Sequence, residues 1–100
     1  MPDLFILDQV IYLTMSNDIS ARSNLLSNID KLHTTDLGVL RIRRNLELNE
    51  DIDAVIWCRD KIFSADSSIE RKGKNYYVSF KGGIITVNAG SMTIITAKKC

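Results

Sequence analysis

Few side chains in this 100-residue chain could carry out chemistry near neutral pH. His33 is the only histidine, and histidine is the side-chain type that ordinarily exchanges a proton in that range. The two cysteines, Cys58 and Cys100, are the candidate nucleophiles. One histidine and two distant cysteines do not form a cluster with the spacing of metal ligands, so we predict neither a metal nor a cofactor. Proton transfer or thiol chemistry would therefore depend on His33 or Cys58.

Both of these residues also have a purely structural interpretation. His33 stands beside Thr34-Thr35 between two predicted helices, where a histidine commonly takes part in capping and packing. Cys58 falls inside a predicted helix and is most simply a small buried apolar residue, with a nucleophile paired to His33 as the alternative. Because the cysteines do not form a spaced disulfide framework, we expect a reducing, cytoplasmic location.

Basic residues are concentrated in the last third of the chain. Residues 68–100 carry a net charge of +5, whereas residues 1–67 carry −4. The rings of Tyr76-Tyr77 lie close in sequence to Lys72 and Lys74, and rings beside cations suit single-stranded RNA, which is bound through stacking and phosphate contacts. The alternative is that lysines at strand ends and turns serve solubility and protect the edges of a sheet.

The same part of the chain has the pattern of a sheet. Four short runs rich in Ile, Val, Tyr, Phe and Thr are separated by Gly73-Lys74, Lys81-Gly82-Gly83 and Ala89-Gly90-Ser91, which predicts an antiparallel meander. Alternation predicts one apolar face made of Tyr76, Val78, Phe80, Ile85, Val87, Met92 and Ile94. In the last strand it places Thr93, Ile95 and Ala97 on the opposite face.

The residues before the sheet are predicted to be helical. We expect a first helix from Ile19 to Leu32, a second capped by Thr34 or Thr35 and ending near Asn45, and a third capped by Asn49 and ending near Phe63. The third helix is expected to bury Ile52, Val55, Ile56 and Ile62. The predicted fold class is α+β, with three N-terminal helices packed on one face of a four-stranded antiparallel β-meander.

Residues 1–15 are strongly apolar, but they have neither the basic start nor the cleavage site of a secretory signal. They are also too short and too charged to span a bilayer, so we expect no membrane association. They are either an added strand or helix or an N-terminal extension, and Met15-Ser16-Asn17-Asp18 resembles a natural N-terminus. We therefore predict an extension over residues 1–15 and a single α+β domain over residues 16–100.

Four blocks of the sequence carry a resemblance to a known family. They are I-D-K-L-H-T-T-D-L-G-V-L-R-I-R-R-N-L from Ile29, V-I-W-C-R-D-K-I from Val55, I-E-R-K-G-K-N-Y-Y-V from Ile69 and I-T-V-N-A-G-S-M-T-I-I-T-A-K from Ile85. These blocks resemble a bacterial family catalogued only as a domain of unknown function, which implies a small, cytosolic, uncharacterised protein. Relatives often end the last block with T-A-H, whereas this chain has Lys98, which weakens an enzymatic interpretation.

A second, more remote resemblance lies in the order of the elements. Helices followed by a basic antiparallel meander are similar to the barnase, colicin and RelE-like ribonucleases, whose fold alone does not establish function. This resemblance implies metal-independent cleavage, which needs a base, an acid and cations around the phosphate. The roles it implies are proton transfer by His33 or Tyr77, phosphate binding by Arg44, Lys72 and Lys74, and polar contacts from Asn88 and Thr96.

Three classes of function are compatible with these observations. The protein acts on RNA, as a ribonuclease-like or RNA-binding domain; it binds a protein partner or a second copy of itself, for example through a sheet edge; or it regulates another enzyme. The basic sheet and its tyrosines favour the first class, while the shortage of acid–base groups argues against full enzymatic competence. We predict an RNA-directed function and leave catalysis open.

Overall fold

The computed structural model describes residues 19–64 and 66–100, so the predicted extension over residues 1–15 lies outside the described residues. The helical part contains α1 (Ile19–Ser27), a 3-10 helix (Ile29–Lys31), α2 (Asp36–Leu46) and α3 (Ala54–Phe63). The strands β1 (Ser68–Lys72), β2 (Asn75–Phe80), β3 (Gly83–Asn88) and β4 (Ile94–Lys99) form one antiparallel sheet in sequential order. The predicted α+β class is confirmed.

The helices cover one face of this sheet and enclose the core. Helix α1 packs on β1, α2 on β4 and α3 on β2. The centre of the core is made by Leu25 and Ile42 from the helices and by Val78, Ile85 and Ile94 from the strands, all of them buried. The apolar sheet face predicted from alternation is the face under the helices. Within the described residues, no helix has the length and apolar character needed to cross a membrane.

The first helix is shorter than the sequence predicted. It ends at Ser27, and a separate 3-10 turn carries Ile29 into the core. The Ser27 hydroxyl donates to the backbone carbonyls of Ser23 and Asn24. The side-chain Nδ2 of Asn28 also donates to the carbonyl of Asn24. Such side chain–backbone bonds compete with helix continuation.

Helices α2 and α3 both begin at a side chain that accepts a backbone hydrogen bond. Thr35 Oγ1 accepts from the amide of Gly38 at 3.0 Å, which confirms one of the two predicted caps. The start of α3 was predicted wrongly, because the cap is Asp53, whose Oδ1 accepts from the amide of Ile56. The buried stripe of this helix consists of Ala54, Cys58 and Ile62. Of the other residues predicted to be buried, Ile52 and Val55 are only half-buried and Ile56 is 49% exposed.

A β-bulge in β4 changes which residues face the core. Val87 pairs with Ile94 and Thr86 pairs with Thr96, so Ile95 is an extra residue in β4. An extra residue shifts the alternation by one position. Ala97 is therefore fully buried, contrary to the prediction, while Ile95 is 48% exposed.

Candidate functional site

The outer face of the sheet, which is the side turned away from the helices, carries mostly polar side chains. Successive strand residues point to opposite faces, and the register aligns the outward residues in three rows across the strands. The far row is Ser68, Ser79, Ile84 and Lys98, the middle row is Glu70, Tyr77, Thr86 and Thr96, and the terminal row is Lys72, Asn75, Asn88, Thr93 and His33. Apart from Thr86, these residues are exposed or half-buried, so this face is open to solvent in the described part of the chain.

Tyr77 occupies a central position on this face. Tyr77 is a half-buried residue of β2, and its hydroxyl oxygen is 3.5 Å from the side-chain Nδ2 of Asn75. The Nζ atom of Lys72 lies 3.6 Å from the carboxylate of Glu70, and both side chains are largely exposed. A shallow depression of about 380 Å³ is lined by Glu70, Lys72, Tyr77, Ser79 and Ile84. The outer face thus carries an aromatic ring and a cation beside this shallow depression.

His33 is held at the end of the terminal row by backbone pairing with β4. Its amide donates to the carbonyl of Met92, and the amide of Ile94 donates to its carbonyl, at 3.1 and 2.8 Å. This is a parallel bridge to Thr93, and the neighbouring Thr34 hydroxyl adds a bond to the carbonyl of Ile94. The segment between the 3-10 helix and α2 therefore lies along the outer edge of β4.

The ring of His33 begins a chain of side-chain hydrogen bonds. Its Nδ1 lies 2.8 Å from the carbonyl oxygen of Lys31, and its Nε2 lies 3.2 Å from Thr93 Oγ1. Thr93 Oγ1 is 2.7 Å from Ser91 Oγ, which is 3.1 Å from Asn88 Oδ1. That amide oxygen also accepts from two backbone amides of the β3–β4 turn. His33 thus takes part in a hydrogen-bond network, and the residue is exposed.

Most of the site residues predicted from the sequence gather on the outer face. Lys72, Asn88 and His33 belong to the terminal row, and Tyr77 and Thr96 belong to the middle row. Lys74 lies in the β1–β2 turn. Its backbone carbonyl accepts a hydrogen bond from the backbone amide of Ala89, which places this turn beside the terminal row. This turn starts with a glycine at φ +58°, a conformation that glycine adopts without strain.

Arg44 is set apart from the other predicted site residues. It lies on α2 in the helical layer, where it lines a separate depression with Leu40, Arg43, Leu48 and Glu50. The two residues suggested for proton transfer are also separated, because His33 lies beyond β4 whereas Tyr77 lies in β2. Three strand spacings amount to roughly 14 Å, so the arrangement does not place both residues at one scissile bond.

Ser91 and Thr93 were not predicted as members of the site. Both were treated as turn and strand residues, because nothing in the local pattern links them to His33. Their connection depends on a parallel bridge between residues 60 positions apart. The only local signal is Asn88 followed closely by Ser91, a combination typical of a side chain-stabilised turn.

Cys58 does not form the pair with His33 that the sequence left open. The thiol is fully buried in the core, and burial raises its pKa to about 12. Both ring nitrogens of His33 contact other groups. The thiol therefore stays protonated and unreactive at neutral pH. In residues 19–64 and 66–100, no three His, Cys, Asp or Glu side chains cluster in a way that could hold a metal ion.

Residues 19–64 and 66–100 define an α+β protein in which helices cover one face of the sheet and these residues leave the other face open and polar. A family model described as a protein of unknown function (DUF3781) matches residues 26–98, and the chain belongs to this family. The match runs from within α1 to the penultimate residue of β4, so it includes the outer face. No curated protein and no solved structure gives a significant match. The likeness to ribonucleases therefore has no support from these comparisons.

Proposed function

We propose that this protein binds single-stranded RNA on the outer face of its sheet. The observation that carries the proposal is the half-buried ring of Tyr77, set in an open depression beside Lys72 on the polar outer face. An aromatic ring on a sheet offers a stacking platform for a base, and neighbouring cations hold the phosphates. Binding without cleavage is the proposed activity.

The charges around this face suit a polyanion. Lys72 and Lys98 lie in the rows themselves, and Lys74 lies in the adjoining turn, against a single acid, Glu70. The Lys72–Glu70 pair is exposed and 3.6 Å apart, and such pairs hold little energy. A phosphate group can therefore compete for Lys72 at small cost.

Polar groups along the strands can contact the bases and sugars. Asn75 and Thr96 are half-buried members of the terminal and middle rows. Amides and hydroxyls of this kind bind the edges of unstacked bases and the 2′-hydroxyl of RNA. A cytoplasmic location accords with the free thiols of Cys58 and Cys100.

A protein-binding function is the second candidate, and a different surface favours it. The helical layer leaves five large apolar side chains about half exposed or more: Ile19, Leu37, Leu40, Ile56 and Phe63. Exposed apolar side chains mark a protein contact where they form one contiguous patch. This candidate predicts negligible RNA affinity at physiological salt.

Changing Lys72 and Lys74 together to Ala is expected to weaken RNA binding and reduce its salt dependence. Each phosphate contact on a single strand contributes about 0.7 to the slope of log K against log salt, so two contacts contribute roughly 1.4. The measurement is fluorescence anisotropy of a labelled oligouridylate at several salt concentrations. The matched control is Arg41→Ala with Arg44→Ala, which removes the same charge from α2.

Tyr77→Ala is the companion variant, and Tyr77→Phe is its control. The loss of one stacked base costs about 1–3 kcal/mol of binding free energy, whereas Phe keeps the ring. For the two double variants, equal losses of RNA affinity on removing the lysine pair and the arginine pair would show that only total charge matters. That result, or an unmodified protein that does not bind RNA at physiological salt, would refute the proposal.

A further inference from the structure

The chain of hydrogen bonds from His33 to Asn88 has a property that the proposed function does not use. We infer that His33, Thr93 and Ser91 form a phosphate site that is active when the His33 ring is protonated. This inference rests on the proposed function, since the phosphate is that of a nucleic acid strand on the outer face. It assigns a second anchor to the end of the terminal row that is remote from Lys72.

The neutral ring holds the two hydroxyl hydrogens within the network. A carbonyl oxygen can only accept, so the contact of Nδ1 with the Lys31 carbonyl at 2.8 Å requires the proton on Nδ1. Nε2 is then an acceptor, and it takes the hydroxyl hydrogen of Thr93 at 3.2 Å. Thr93 in turn accepts from Ser91 at 2.7 Å. In this state neither hydroxyl has a hydrogen left for a ligand.

Protonation of the His33 ring reverses the direction of the hydrogen bond between Nε2 and Thr93 Oγ1. With hydrogens on both ring nitrogens, Nε2 donates to Thr93 Oγ1, and the Thr93 hydrogen is released. Ser91 continues to donate to Thr93 at 2.7 Å, because a hydroxyl oxygen can accept two hydrogen bonds. The network therefore stays satisfied in both states. Only the protonated state offers a free hydroxyl donor beside a positive charge.

That combination suits a phosphate oxygen. Hydrogen bonds to a charged acceptor are stronger than neutral ones, and the imidazolium charge adds an attractive Coulomb contribution. Thr93 is half-buried, while Ser91 and the His33 ring are exposed, so a ligand on the outer face can reach them. The site thus combines one hydroxyl donor, Thr93, with the positive charge of the protonated His33 ring.

The surrounding charges do not remove this effect. The charged residues on the elements that adjoin His33 are Asp30 and Lys31 on the 3-10 helix, Asp36 at the start of α2 and Lys74 in the β1–β2 turn. Residues 88–96, from the end of β3 to the start of β4, carry no charged side chain, and their polar side chains near His33 are Asn88, Ser91 and Thr93. The charges of these two acidic and two basic residues cancel, so protonation of the His33 ring adds one positive charge at this end of the sheet.

The position of the site defines a path for the bound strand. Lys72 in β1 and His33 beyond β4 lie at opposite ends of the terminal row. Four strand spacings separate them, which is roughly 19 Å. An RNA strand lying across the sheet therefore meets lysines at one end and the His33 site at the other.

The test is the affinity of the full chain for a labelled oligouridylate at about pH 5.5 and about pH 7.5, on either side of the range in which histidines ordinarily titrate. We expect binding to be about three- to tenfold tighter at the lower pH, as for one added charge-assisted contact. His33→Gln should reduce this ratio to about one. Thr93→Val should lower it only in part, because the charge of the protonated ring remains, and Thr93→Ser should keep the ratio of the unmodified chain. Circular dichroism melts confirm that each variant is folded at both pH values.

A ratio that persists in a folded His33→Gln protein would overturn the inference, because another group would then be responsible. A second measurement separates this failure from failure of RNA binding itself. Inorganic phosphate is titrated into the 15N-labelled chain, and amide shifts are followed at both pH values. Shifts at Ser91 and Thr93 that appear only at low pH would support the site even if RNA does not bind. If these amides do not shift, the phosphate site is refuted whatever the RNA result.

Discussion

Replacing Ile94 by Ala is expected to lower the free energy of unfolding by about 2–5 kcal/mol, the range for large-to-small changes in a core. Ile94 is 2% exposed and lies on the sheet face that the helices cover. Truncating it removes buried apolar surface and leaves a cavity between β4 and α2. Urea unfolding followed by circular dichroism measures the change, and the slope with urea should stay constant.

The adjacent residue supplies the matched control. Ile95 is the extra residue of the bulge and is 48% exposed, so Ile95→Ala should change stability by only a few tenths of a kcal/mol. The two variants make the same chemical change at neighbouring positions. Similar losses in both would show that the bulge is misplaced and that the two sheet faces have been assigned incorrectly.

Raising the pH above 9 should destabilise the protein through Cys58. Burial raises the pKa of this thiol from 9.0 to about 12, whereas the unfolded chain exposes it and lets it ionise near the lower value. The contribution is fully present below pH 9 and is lost as the pH rises from 9 to 12. Each pH unit in that interval costs about 1.4 kcal/mol.

The measurement is the free energy of unfolding in urea at several pH values from 8 upward, with a reducing agent present. Lysines and tyrosines also titrate in this range, so Cys58→Ala is compared at each pH. This variant starts from a lower stability, because it leaves a small cavity, but its decline with pH should be shallower. Parallel declines in the two proteins would contradict the assigned role of the thiol.

The sheet was predictable from the sequence because its signals are local. Short runs rich in Val, Ile and Tyr are separated by glycine turns, and each run forms one strand of the sheet. The Thr35 cap was predictable for the same reason, since the hydroxyl and the amide that it bonds are three residues apart. Such features depend on neighbouring residues alone.

Features that depend on distant residues were not predictable. The bulge at Ile95 arises from how β4 pairs with β3, and no glycine or proline marks it in the sequence. The candidate site contains both kinds of feature, local and long-range. The lysines and Tyr77 follow from composition and strand phase, whereas the hydroxyls of Ser91 and Thr93 join His33 only through tertiary pairing.

The bridge between His33 and Thr93 also has a consequence for the opening motions of the domain. The amide of Ile94 is bonded to the carbonyl of His33, which belongs to the segment that joins the 3-10 helix to α2. The helical layer cannot move away from β4 without breaking this bond. Exchange of the Ile94 amide with solvent deuterium therefore reports on separation of the two layers, whereas amides inside the β2–β3 pairing report on opening of the sheet itself.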